Sequence, residues 1–580
     1  TVGGSSPPQL GNITLNDGRA LTFSAATTNV SGNIQFGSSS TFNAGTGTLV
    51  LNGATTTTFS GGNRTFANIN LNKTGSADVT LTSGVLLTGT LDVVGTGCDF
   101  GSNGFLTLVS NVSGTARIAA LAATRTVSGN VRAQRYIAGV GRAYRDISSP
   151  VLNPPVSDIT ASGITITGNF TGTSFPCAGC ATNNPSMYFY DETVAGAQTL
   201  GYVAFPPSGG SSGTSTLAAG RGYNLLIRNE LGSPTMTLVG TVNSFPALTA
   251  LPITYTTTAG GPTEDGWNFV GNPFPCAIDW DGAGWSKNLL QGNTISVWDP
   301  TQAGYRTWNG VSGSLGSGRI ASGQGFWVKA TGAGAALSIS EAAKTSTTTA
   351  FYQTIQSETL EIVLKEELSG IEDIAHLQLD DRARAEFDEY DGMKFKNPTF
   401  NLNSLSKDGV PLSINLLKTI PQEPVHLRIT ESGVGSFSIR VNGQGAFAGR
   451  VIMLHDKLTG KSHEVSGKAY SFTVTQSAAS SPEDRFYLYF EESPSQASLD
   501  VSVFPNPVTE RVNVVIRNSG VVGPEVHIVN SQGLQMGLMK LQQESGVYTG
   551  EFDMSNQASG VYLVRAIVNG KPEVVKFLKR

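Results

Sequence analysis

The sequence predicts an all-β chain: N-terminal parallel β-solenoid-like repeats, then β-sandwich modules, then a small Ig-like sandwich at the C-terminus. Three observations lead there. Short runs in which β-branched residues and leucine alternate with small polar ones recur along the chain, which is the period of a half-buried strand. The 69 glycines and 26 prolines interrupt those runs closely enough to leave almost no room for helices. The earliest runs also repeat at a near-constant spacing.

Residues 1–125 carry that repeat. "GNITL" begins at Gly11 and "GNIQF" at Gly32, "ANINL" follows at Ala67, and "GTLVL" at Gly47 returns as "GTLDV" at Gly89. A period near 20 with short strands is what stacked coils of a parallel solenoid give, because one rung cannot bury its apolar face without a neighbour. Ile34 and Leu71 are expected to point inward. The competing reading is a sandwich of loosely similar hairpins.

Residues 126–345 read as an aromatic-rich β-sandwich module. It opens with arginines at 132, 135, 142 and 145, then runs through "SMYFYDE", "RGYNLLIR", "GWNFVGNPFPCAIDW", "ISVWDPTQAGYRTW" and "GQGFWVKA". Trp280, Trp285, Trp298, Tyr305 and Trp308 are candidates for a sugar-binding face, although such residues more often pack a core or an edge. "EAAKTSTTTA", Glu341–Ala350, reads as a linker. About 31 charged side chains precede residue 346 and about 50 follow it, a shift that marks a boundary. Residues 346–492 then alternate cleanly, as in a sandwich with one wet face per sheet. "SPSQASLD", Ser493–Asp500, is a second linker, and "NG" at Asn569 marks the last hairpin of the final unit, 493–580.

That final unit holds three ordered motifs: Phe504, Pro505, Asn506 and Pro507 ahead of a strand at Val512–Ile516; "SNQASGVYLVRA" with Gly560 and Tyr562; and the terminal "KFLKR", with Lys576, Phe577, Lys579 and Arg580. The two prolines fix φ and withhold N–H groups, which forces a turn. Asn506 suits a turn by bonding nearby backbone. Gly560 is read as allowing a tight entry to its strand, and the cations as placing positive charge at an exposed end. Order, spacing and position together resemble the type A C-terminal sorting domain of the type IX secretion system of Bacteroidota. Phe where the family often has Tyr, and Arg where it more often ends in Lys, are mild departures. The resemblance covers about 80 residues. It implies export across the outer membrane, to an extracellular or cell-surface location. It also implies recognition of those ten residues by the translocon and its outer-membrane shuttle and attachment proteins, and commonly attachment to lipopolysaccharide after removal of the domain.

Other classes find little support. The net charge of −5 gives no footprint for nucleic acid. No apolar run reaches the roughly 18 residues of a membrane helix. The chain opens at Thr1 without a charged-then-apolar leader, which reads as a processed protein or a fragment. Cys177 and Cys180 form a CxxC with no histidine before His376, so a zinc site is disfavoured. A loop disulfide is expected, with Cys276 as competitor and Cys98 left reduced. No HExxH or P-loop pattern occurs. His376, His426, His455, His463 and His527 all lie late in the chain, and His426 and His455 sit inside strand patterns. Of the carboxylate pairs Asp279/Asp281 and Asp380/Asp381, only "DWDGAG" offers oxygens to a cation, calcium, and a surface turn is the stronger reading. No cofactor, metal or catalytic residue is expected. Two function classes remain: a non-enzymatic adhesin, stalk or matrix protein with surface glycans or lipopolysaccharide as partners, or the carbohydrate-binding part of, or a solenoid-type, polysaccharide-degrading enzyme.

Overall fold

The computed structural model describes all residues except 4–5, 140, 229–231, 259–260, 262, 348–358, 444, 493–499, 518–523, 545–546 and 569–570. Most of the second linker and the Asn569 turn therefore lie outside the described residues. The chain is all-β, as the alternation predicts, with one α-helix, Ser157–Ala161, among the described residues. It forms two compact units, Thr1–Ala446 with Leu454–Leu488, and Phe447–Met453 with Tyr489–Arg580.

The first unit begins as a solenoid. Six strands stack in parallel in the order Gln9–Leu10, Thr27–Val30, Thr48–Gly53, Asn68–Lys73, Thr90–Val93 and Arg117–Ile118. A second sheet stacks Ile13–Leu15, Ile34–Phe36, Thr57–Phe66, Val79–Leu87 and Leu106–Leu108. Like side chains stand in register: Leu51 pairs with Val30 and Leu71, and Leu71 continues the row to Val93, all four fully buried. Each such side chain contributes about 1.5–3 kcal/mol when removed from water. Ile34 is equally inward.

The repeated Asn and Gly have specific work in this stack. The Asn12 side-chain oxygen accepts the Asn33 N–H at 2.7 Å, Asn33 accepts that of Thr58 at 2.8 Å, and Asn68 accepts that of Thr90 at 2.9 Å. Each asparagine thus ties its rung to the next. Gly47 and Gly89 lie directly against the rung before. An added Cβ would stand 2.5 Å from the Ala25 carbonyl oxygen and 2.4 Å from that of Ala67.

The stack does not stop at residue 125. Asn130–Tyr136, the arginine-bearing stretch, is itself a rung, paired in parallel with Leu106–Leu108. Thr235–Thr241 then pairs antiparallel along its whole length. The outer edge of that returning strand is covered in turn. Val239 N–H donates to Asp158 at 2.8 Å and Thr237 N–H to Ser162 Oγ at 2.9 Å, both beside the short helix. An edge strand left bare invites pairing with other chains, and this one is closed. One apolar core consequently runs from Ile13 through Val131, Ile159 and Tyr223 to Leu238.

The rest of the aromatic-rich region builds antiparallel sheets. Ala143–Ile147, Tyr223–Ile227, Met187–Tyr190 and Tyr202–Ala204 form one; Trp267–Gly271, Gly325–Lys329, Ile295–Asp299 and Gly304–Trp308 form another. Glu341 and Lys344, read above as the start of a linker, are instead buried and paired at 2.7 Å. Glu341 also accepts the N–H of Leu121 at 2.7 Å and of Phe245 at 3.2 Å. A long sheet follows, running through Val425–Thr430, Asn401–Leu405, Pro411–Leu417, Glu372–Leu379, Leu360–Glu366, Gly435–Asn442 and Tyr470–Val474. Phe395, beside it, packs into a cluster with Trp267, Phe269 and Trp327.

In the second unit two four-stranded antiparallel sheets face each other. One is Asp500–Phe504, Arg511–Arg517, Val547–Asp553 and Leu541–Glu544; the other is Gln535–Met539, Glu525–Asn530, Gly560–Val568 and Lys571–Lys579. Val512, Val514, Ile516, Val526, Ile528, Val564 and Phe577 fill the space between them, every second residue of each strand pointing in.

Candidate functional site

The three C-terminal motifs, far apart in sequence, meet at one place. The box residues Phe504–Pro507 leave the first strand through two cis X-Pro bonds. Asn506 Oδ1 accepts the Leu578 N–H at 2.9 Å, and its Nδ2 reaches the Lys576 carbonyl at 3.5 Å. Val508 N–H donates to Leu578 O at 2.8 Å, and Arg580 N–H returns to Val508 O at 2.9 Å. The terminal strand is thus held on one side by the box and on the other by Gly560–Val568. Tyr562 sits opposite Phe577, their rings stacked 5.9 Å apart, and the Tyr562 hydroxyl donates to Ala558 O at 2.9 Å.

Two details differ from the sequence reading. Gly560 meets no steric demand: its φ is not positive, and nothing lies within 4 Å of a Cβ built on it. Lys579 is not an exposed cation. It follows the inward Phe577 by two positions, is 8% exposed, and turns its Nζ to the Arg580 main-chain oxygen at 2.6 Å. Strand alternation leaves Lys576 and Arg580 outside, with Phe504 and Leu578 as exposed apolar neighbours.

The five aromatics proposed for one face divide among three settings. Trp280 is fully buried, with Lys287 Nζ 3.7 Å over its ring. Trp285 and Trp308 serve the "DWDGAG" turn, donating to Asp279 O at 2.8 Å and Asp281 Oδ2 at 2.7 Å. Asn293 occupies the other Asp281 oxygen at 2.7 Å, so this carboxylate is engaged within a turn. Burial brings the Lys287 ammonium down to about 8. Among the described residues no group of three or more His, Cys, Asp or Glu is placed to hold a metal ion.

Trp298 and Tyr305 do share a site. They line a cleft of about 290 Å³ with Tyr144, Tyr188, Tyr202 and Phe395, rimmed by Gln198, Asn224 and Asn397. Tyr202 and Tyr305 join hydroxyls at 3.3 Å, and Trp298 Nε1 donates to Tyr144 O at 3.1 Å. Beneath it lies Asp146, 1% exposed, accepting from Asn224 Nδ2 at 2.9 Å and Trp327 Nε1 at 3.2 Å. Burial raises its carboxyl to about 7, against the opposing pull of those two donors. Asp146 and Asn224 give no pattern in sequence; only the pairing of Ala143–Ile147 with Tyr223–Ile227 sets them opposite each other.

Cys177 and Cys180 are joined in a disulfide, and Cys98 and Cys276 are buried free thiols. His376 is sealed inside, bonded to Thr359 at 3.1 Å, and burial pulls it down to about 3. His455 bonds Ser462 at 3.0 Å and stacks on Tyr487. Asp380 is held by Arg382 at 2.7 Å.

Box, tyrosine strand and terminal strand are thus locked together in one small sandwich. Residues 502–580 match the family described as the secretion system C-terminal sorting domain. The chain carries a type A sorting domain of type IX secretion, which places its destination across the outer membrane, at the cell surface or beyond, and implies interaction with that machinery. Ahead of it, residues 63–490 match the family described as Domain of unknown function (DUF8693), and the chain belongs to that family. No curated protein matches. Among solved structures, "Biofilm associated protein - BSP domain" is similar over 77% of this chain and 92% of that one, at 12% identity and a TM-score of 0.12, a value that carries no argument about fold or role.

Proposed function

We propose that this type IX cargo is a non-enzymatic adhesin, stalk or matrix protein, handed by the translocon to its outer-membrane shuttle and attachment proteins through Phe504–Pro507, Tyr562 and the outward residues of the terminal strand. The observation that carries the reading is the continuous core from Ile13 to Leu238. It makes the solenoid and the first aromatic sheets one stiff scaffold. The groups with most catalytic promise also have structural work: His376 is sealed beside Thr359, and Asp281 is bonded by Trp308 and Asn293. The test is to compare attachment of wild-type and deletion cells to glycan-coated surfaces, and to incubate the purified chain with polysaccharides. Loss of attachment with no release of reducing ends is expected; release of reducing ends would overturn the non-enzymatic reading.

A second reading, carbohydrate binding within that role, is favoured by the cleft of Trp298, Tyr305, Tyr202 and Tyr188. Flat aromatic walls with a few amides at the rim suit the apolar faces and hydroxyls of a sugar.

A further inference from the structure

A second cavity, of about 420 Å³, adjoins the aromatic cleft. Tyr144 and Tyr188 line both, their ring centroids 6.3 Å apart, so the same two rings separate and connect them. Among the described residues the second cavity is lined by Arg142 and Arg228 and by no carboxylate. Arg228 is 6% exposed. Among the described residues its one hydrogen bond is from Nη2 to Thr167 Oγ1 at 3.3 Å, and its Nε has no partner. Burying a guanidinium with no counter-charge among the described residues beside it is costly, and an arriving anion offsets that cost. The aromatic cleft has its own unused donor: Gln198 is 5% exposed and its Nε2 is also unpartnered. The remaining cation at that rim, Lys396, is already paired with Glu264 at 2.5 Å.

We propose that the two cavities form one groove for an acidic saccharide, with a sugar ring against Tyr188, Tyr202 and Trp298 and a carboxylate or sulfate against Arg228 and Arg142. The proposal rests on the carbohydrate reading above and adds the charge of the ligand. Both geometry and donor chemistry point the same way. Arg binds carboxylates and tetrahedral oxyanions alike through two parallel N–H groups, while the aromatic side supplies stacking that tolerates many sugars.

Calorimetric titration of the full chain tests it, with tetrasaccharides of galacturonate, of chondroitin sulfate and of neutral xylose, and with poly-glutamate as a non-saccharide anion. Either acidic saccharide is expected to bind about 10-fold or more tightly than the neutral one, since its charge gains hydrogen bonds from the guanidinium groups. Whether galacturonate or chondroitin sulfate wins tells carboxylate from sulfate. Arg228→Gln should weaken acidic binding by about 10–100-fold and Arg142→Ala by about 3–10-fold, leaving the neutral ligand unchanged. Arg142 is exposed, so its variant decides the matter if the Arg228 variant melts early. Equal affinity for acidic and neutral saccharides, wild-type affinity in both variants, or equally tight poly-glutamate binding overturns the proposal. Neutral saccharide bound normally by the arginine variants and lost in Tyr188→Ala, without any acidic preference, leaves the carbohydrate reading standing alone. Binding of no saccharide ends both.

Discussion

Replacing Asp146 by Asn should reverse the sign of its effect on stability between pH 4.5 and pH 8. In the folded chain the carboxyl titrates at about 7 rather than 3.8, because burial penalises its charge. Between those values the folded state holds a proton that the unfolded chain has released, so stability falls as pH rises through the window and levels off above it. Roughly three pH units at 1.36 kcal/mol each give about 4 kcal/mol lost by wild type at pH 8. Asparagine has no such loss, and its Oδ1 can still accept from Asn224, but the Trp327 N–H then faces an amide donor. That orphaned donor costs about 1–3 kcal/mol at every pH. The variant should therefore melt earlier than wild type at pH 4.5 and a few degrees later at pH 8, read by scanning calorimetry on the full chain. A difference in melting temperature that stays constant across this range would show that Asp146 does not carry the proton, and the account of the cleft floor would fall with it.

Leu71→Asp or Ile34→Asp should unfold the neighbouring rungs, with a loss of at least about 4 kcal/mol for an unpartnered buried carboxyl; unchanged circular-dichroism melting in both would place these side chains outside the stack. Residues 493–580 fused to a periplasm-directed fluorescent protein should carry it to the surface of a host with type IX secretion, and intact fusion kept in the periplasm would refute the address. Deleting Lys576–Arg580 should abolish that export and leave the first unit folded, because it removes the buried Phe577 and both acceptor and donor of the Asn506 clamp. Peptide mapping without reduction should return Cys177 linked to Cys180 and Cys98 alkylated; a Cys98 bridge would contradict the structure.

The solenoid was legible because its repeat is dictated by stacking. A residue such as Leu51 recurs as Leu71 and Val93 since each rests on the last, and that constraint is written at fixed spacing. The sorting domain was legible because its motifs are local. What remained hidden depends on partners remote in sequence. Glu341 looks like a linker residue until its acceptor role for Leu121 and Phe245 is seen. Lys579 looks exposed by composition, and only the pairing of its strand turns it inward. The aromatic cleft was half visible: Trp298 and Tyr305 stood out by residue type, whereas Arg228, Gln198 and Asp146 had no pattern to betray them.

The Glu341 carboxylate reaches back to the end of the repeats. It bonds the end of the last short rung, Leu121, from 220 positions away, so the loop that must close is long and its closure comes late. Until Thr235–Thr241 pairs with it, the rung at Asn130–Tyr136 has an edge open to any passing strand. A chain cut after Tyr136 would keep that liability permanently, and should aggregate where one cut after the Glu341–Lys344 pair does not. The repeats therefore cannot be shortened, transplanted or shuffled as free modules. Their last rung is covered by Thr235–Thr241, encoded well downstream, and selection must keep the two together.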